Sequence, residues 1–272
     1  MISLRKSVAA IAAVLITVVL AGTASAATWN INKPGKYKMP GNRTANSGDA
    51  IVITASNVTL DLQGFTVSAT ARGAGRGIAV EGAKNVTIHS GHVSGFNANI
   101  AVIDSQNVKV EGVQVVGDNL APNNGPTEIG ILLINSRACD IVGNSFSSVN
   151  LGIFIRGGNS AGNRIMKNIV NGGANPANNL LGICYTPAPT PAGGVANPAG
   201  PRGDSIYNNH IARFGFAIAV SAESASNMFN DNTLASFTGG FREPQFFVDG
   251  GGTGTNIASG NTVVTIPSTT TP

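Results

Sequence analysis

The residues of this 272-residue chain best suited to chemistry are Phe154 and Arg156, two apart in Gly152-Ile153-Phe154-Ile155-Arg156. A guanidinium can fork a carboxylate while a neighbouring ring stacks on a sugar face, and together these suit a uronate. An equal reading has Arg156 pairing with a loop acid, or covering apolar surface with its stem. Lys167, His210 and Arg213 lie downstream and join Arg156 as candidate catalytic groups. β-Elimination needs a base for the proton α to a carboxylate and a cation for the charge that develops. Glu81 and Asp249 join Phe154 and Arg156 as candidate substrate-binding residues. Hydrolysis of a glycosidic bond needs two carboxyl groups about 5–9 Å apart. The acids here are scattered and no two are adjacent. His89 and His92 flank Gly91 and lack partners for a zinc site. No metal and no cofactor is expected.

These residues depend on a repeating scaffold. Asn85-Val86-Thr87-Ile88-His89-Ser90-Gly91-His92-Val93-Ser94-Gly95-Phe96 is rewritten at 57–68 and again at 107–116. Each copy is an apolar/polar alternation, a Gly, and a second alternation, which reads as strand, turn, strand with one face inward. A second element alternates with it: Ile51-Val52-Ile53, Gly77-Ile78-Ala79-Val80, Gly130-Ile131-Leu132-Leu133, Gly182-Ile183-Cys184-Tyr185 and others. The turn column runs Gly64, Gly91, Gly112, Asn144, Asn168, Asn209, Asn232, Asn261, at spacings of 21 to 41 residues. A shortest period in the low twenties, with three short strands per period, predicts a single-domain all-β right-handed parallel β-helix of about eight turns. Asn and Gly suit a tight corner, and stacked Asn amides can bond to one another from turn to turn. The looser stretch 28–41, with Trp29, is expected to cap the N-terminal end.

Composition narrows the setting. Arg5-Lys6, an apolar run from Val8 to Ala21 and Ala24-Ser25-Ala26 together read as a cleavable signal over 1–26. The run is too short to span a membrane, so the expected product is secreted or periplasmic, with no membrane span after cleavage. The formal charge of +4 falls to +2 once Arg5 and Lys6 leave, and there is no basic run. Nucleic acid is therefore not an expected partner. Cys139 and Cys184 fall two turns apart, roughly 10 Å along the axis, which favours separate thiols. The helix is expected over 27–266, with a disordered Thr/Pro tail at 267–272.

The Gly-Ile strands and Asn corners resemble the right-handed parallel β-helix superfamily that holds pectate lyases, polygalacturonases and NosD-like periplasmic proteins. The resemblance covers nearly all of 28–266 and implies a polymer groove over one sheet, walled by loops. Insertions at 69–76, 118–128, 171–180 and 235–243 leave one edge, and 186–203 leaves the opposite end of its strand. The polygalacturonase motifs are not matched: Gly91-His92 lacks its following Gly, and Arg164-Ile165-Met166-Lys167 is one residue too long. The acidic cluster of a calcium-dependent lyase is absent from the strand face. The expectation is a binder of polysaccharide, possessing lyase or epimerase chemistry around Arg156 if it is an enzyme, with a non-catalytic surface scaffold or adhesin as the alternative.

Overall fold

The computed structural model describes residues 27–71, 73–118, 128–173, 180–186, 200–221, 223–237, 246–248 and 256–266. Every strand in it pairs in parallel, and three ladders run along a rod. The first ladder holds nine strands, among them Ile51–Ile53, Ala74–Glu81, Phe96–Ile103, Ile129–Ile134, Leu151–Arg156 and Leu181–Thr186. The second and third ladders share one hydrogen-bonded sheet, because Lys84–Ser94 and Gln106–Val116 run unbroken through both. Elsewhere a corner divides them, as between Arg164–Met166 and Ile169–Asn171. Nine rungs make eight steps, so the rod is roughly 38 Å long at the usual strand spacing.

The period of two decides which side chains enter. In Leu151–Arg156, Ile153 and Ile155 are buried, while Phe154 and Arg156 face outward and are half-buried. Ile131 and Leu133, and then Ile183 and Tyr185, repeat the inward pair in register. Fully burying one such aliphatic side chain contributes about 1.5–3 kcal/mol, and the column runs the length of the rod. The Gly that opens these strands is required by space. A Cβ at Gly152 would lie 2.3 Å from the Gly182 carbonyl oxygen and 2.4 Å from Val170 Cγ1.

Two expectations shift. The N-terminal stretch is a full rung, with Trp29 paired to Ile51 and Gly35 to Val58. Its alternation is weak because an end rung meets solvent on one side; Trp29 packs edge-on to Tyr37 at 6.2 Å and lies under Arg43. The left-handed corner residue also precedes the Asn: Gly143, Lys167, Asn208, Asp231 and Gly260 carry positive φ. Asn144, Asn168, Asn209 and Asn232 follow it with their amides buried. Asn168, Asn209 and Asn232 each accept from the backbone N–H of the Asn one rung earlier, as in Asn168 N to Asn209 Oδ1 at 3.0 Å. Each also donates to a carbonyl of the earlier rung, as in Asn209 Nδ2 to Ile165 O at 2.8 Å. In that column the partner of Asn144 is Val113, so Gly112 corresponds to Gly143.

The signal segment, the insertions at 119–127, 174–179, 187–199 and 238–245, Asp249 and the tail all lie outside the described residues. Both cysteines are buried free thiols.

Candidate functional site

The corner between the first and second ladders is built from a repeated short sequence. The chain leaves the first ladder through a left-handed residue: Gly82, Asp104, Asn135 and Gly157 at successive rungs. Asp and Asn tolerate this region through their short polar side chains. A serine then points inward. Ser105 Oγ donates to the Ile103 carbonyl at 2.8 Å and accepts from Ala83 N at 3.1 Å. Ser136 Oγ does the same toward Ile134 at 2.9 Å and from Ser105 N at 3.2 Å. These bonds satisfy the backbone groups that the corner frees, and they fix its shape. The next residue points out: Lys84, Gln106, Arg137 at consecutive rungs, held in line by bridges to Ala161 and Arg202. A second left-handed residue, Asn85, Asn107 or Ala138, then enters the second ladder.

The two kinks leave a ledge whose outer surface is a groove of about 290 Å³, lined by Lys84, Asp104, Ser105, Gln106, Asn135, Arg137 and Asn159. It presents two cations, one carboxylate and three amides. Such a set can fork or neutralise an acid and exchange hydrogen bonds with hydroxyls.

Arg156 stands next to this groove. Its carbonyl accepts from Asn135 N at 2.9 Å and from Ser160 Oγ at 2.7 Å. Its Nε is buried without a hydrogen-bond partner, as is the Oγ1 of Thr186, its neighbour in the ladder. Phe154 lies two residues back on the same outward face. The other predicted residues are elsewhere. Glu81 is held by Arg76 at 2.6 Å, and Arg76 also forks Asp49. Lys167 is the exposed corner residue before the third ladder, His210 faces outward within that ladder, and Arg213 follows it at positive φ. Lys167, His210 and Arg213 thus belong to the third ladder and its corners, while Arg156 ends a strand of the first. Asp249 lies outside the described residues.

Sequence reasoning passed over Lys84, Arg137 and Asp104, and also two buried acids. Glu128 accepts from Asp118 N at 3.0 Å and sits beside Asn99 Nδ2, and burial pushes its carboxyl up. Asp204, fully buried, is pushed up to about 6 by burial, opposed by bonds from Asn163. It occupies an Asn position in a second buried column, between Asn163 and Asn227. Among the described residues no group of three His, Cys, Asp or Glu side chains converges as a metal site would require.

A family model described as periplasmic copper-binding protein (NosD) matches residues 16–183. The chain belongs to the NosD family. No curated protein matches it. Among solved structures, a DFA-IIIase from Arthrobacter chlorophenolicus A6, solved without its lid, is 15% identical with a TM-score of 0.51; the match covers 88% of this chain and 58% of that one. The Dettilon tailspike protein is likewise 15% identical, with a TM-score of 0.51 and coverage of 89% and 60%. A pectate lyase from Bacillus sp. N165, solved with trigalacturonate, is 14% identical with a TM-score of 0.47 and coverage of 90% and 85%. The chain spans about three fifths of the first two structures. At 15% identity the likeness to these two is one of fold.

Proposed function

We propose that this NosD-family protein is an exported carbohydrate-binding β-helix that takes an acidic polysaccharide in the corner groove. The observation that carries this reading is the meeting of Lys84 and Arg137 with Gln106, Asn135 and Asn159 on one ledge. A planar guanidinium fits a carboxylate in two bonds, and an ammonium adds a point charge. Amides both donate and accept, as vicinal hydroxyls do. The family description names copper and a periplasm. Export agrees with the leading segment, whereas copper fits the described residues poorly. Both thiols are buried, His89 Nδ1 contacts Ser90 Oγ at 2.9 Å, and His92 Nδ1 contacts the Gly64 carbonyl at 3.1 Å. Lyase or epimerase chemistry would draw on Arg156 beside the groove.

The test is calorimetric titration of the folded protein with acidic and neutral polysaccharides, alongside a Lys84→Ala/Arg137→Ala double variant. Both side chains are exposed, so the variant should fold normally. Charge-assisted bonds at about 1.5–3 kcal/mol predict a loss of roughly tenfold or more in affinity. Failure of every polysaccharide to bind, or full affinity in the double variant, would reject the reading. Ultraviolet absorbance from an unsaturated product would add lyase activity to binding.

A further inference from the structure

The ledge extends past the groove, and its charge alternates. Register places Lys84, Gln106, Arg137, Ala161, Arg202 and Ala225 in one outward column, at successive rungs. Cations stand at every second position and uncharged side chains between them. With rungs about 4.8 Å apart, neighbouring cations are roughly 10 Å apart and the three span roughly 19 Å.

Three other cations on the rod, unlike these, are paired. Arg76 pairs with Asp49 and Glu81, Lys109 with Glu111 at 2.6 Å, and Arg164 with Asp140 at 2.5 Å. No ion pair joins Lys84, Arg137 or Arg202 to another described residue. The one acid lining the groove, Asp104, belongs to the Gln106 rung, between Lys84 and Arg137, and past the groove the exposed Glu223 holds the same place before Ala225.

We propose that this column is a ruler for a linear polysaccharide carrying one acidic group per two sugar residues, laid along the rod axis. The proposal rests on the polysaccharide reading above and specifies its ligand. Two linked pyranoses in an extended chain have about the length of two rungs. A polymer with an acid on alternate sugars can therefore meet Lys84, Arg137 and Arg202 in turn. Its neutral sugars then fall opposite Gln106, where Asp104 accepts hydroxyl hydrogens, and opposite Ala161. A polymer with an acid on every sugar would set a carboxylate beside Asp104 and another over Ala161, neither of them neutralised.

The experiment compares three probes on the whole protein: hyaluronan, with one carboxylate per disaccharide; polygalacturonate, with one per sugar; and dextran, with none. Two exposed-face variants accompany them, Arg202→Ala and Ala161→Lys. Hyaluronan is expected to bind about tenfold tighter than polygalacturonate, the equivalent of one charge contact. Arg202→Ala should weaken hyaluronan several-fold, although Arg202 lies outside the groove. Ala161→Lys should strengthen polygalacturonate and narrow the gap. Polygalacturonate binding as tightly as hyaluronan, or an unchanged Arg202→Ala, would overturn the ruler while leaving a binder of acidic polysaccharide, whereas dextran alone binding would remove the acidic reading as well. Binding of none of the three would remove both.

Discussion

Replacing Asp204 with Asn should stabilise the protein at neutral pH and flatten its pH profile. The second buried column runs from Cys139 N to Asn163 Oδ1 at 3.0 Å, then Asn163 N to Asp204 Oδ1 at 2.7 Å, and then Asp204 N to Asn227 Oδ1 at 2.9 Å. Its Asn members also donate backward, Asn163 Nδ2 to Ser136 O at 3.1 Å and Asn227 Nδ2 to Pro201 O at 3.2 Å. An ionised Asp204 accepts as they do but has nothing to donate. Its other neighbour is the wholly buried Tyr185, whose hydroxyl faces the carboxyl without a well-formed hydrogen bond. Burial therefore lifts the carboxyl from an ordinary 3.8 to about 6. A shift of about two units corresponds to about 3 kcal/mol. The folded state binds the proton more tightly than the unfolded state, so this group's contribution is most favourable below about pH 4. It declines as pH rises toward 6, and above that the folded protein carries the full cost. Asn is neutral throughout and restores the donor. The variant should match the parent near pH 4 and exceed it by about 3 kcal/mol at pH 7.5, or roughly 6–12 °C in Tm for a chain of this size. Thermal unfolding followed by circular dichroism at half-unit steps from pH 4 to 8 reads the difference, and other titrating groups cancel between the two proteins. Equal Tm values at pH 7.5, or parallel pH profiles, would refute the argument.

The first Asn column and the thiols give two further expectations. Asn209→Ala leaves Asn168 N–H and the Ile165 carbonyl buried and unpaired, at about 1–3 kcal/mol each. Asn85→Gly, in the exposed stack where Asn107 Nδ2 meets Asn85 Oδ1 at 2.7 Å, keeps the left-handed backbone and should cost under about 1 kcal/mol because water replaces the bond. Urea midpoints compare them, and equal losses would show that burial does not decide the column's worth. Burial also pushes the Cys139 thiol up to about 11 and Cys184 to about 12, so an alkylating reagent at pH 8 should label neither until the chain is unfolded. Rapid labelling of the native protein, read by mass spectrometry, would contradict their burial.

The rod was legible because its signals are local. Ile153 and Ile155 enter and Phe154 and Arg156 leave by simple alternation, and that reading needs no knowledge of the neighbouring rungs. The Asn column was also visible, but its corner was misplaced by one residue. The amide must point inward to reach the rung before it, so the left-handed kink falls on the preceding residue, whether Gly143, Lys167 or Asp231. The groove was not legible for a different reason. Lys84, Gln106, Arg137 and Arg202 are neighbours only in register, and insertions of unequal length separate them along the chain. A local signal did exist. Each stands two residues before a buried residue in or just ahead of the second ladder: Lys84 before Val86, Gln106 before Val108, Arg137 before Cys139 and Arg202 before Asp204. Aligning the repeats on that residue, rather than on the Asn corner, would have stacked the cations at alternate rungs. The same alignment would have exposed Asp204 as an acid among Asn163 and Asn227. In a solenoid the informative unit is therefore the column. A residue's role follows from what stands above and below it, and one rung read alone assigns neither Arg137 nor Asp204.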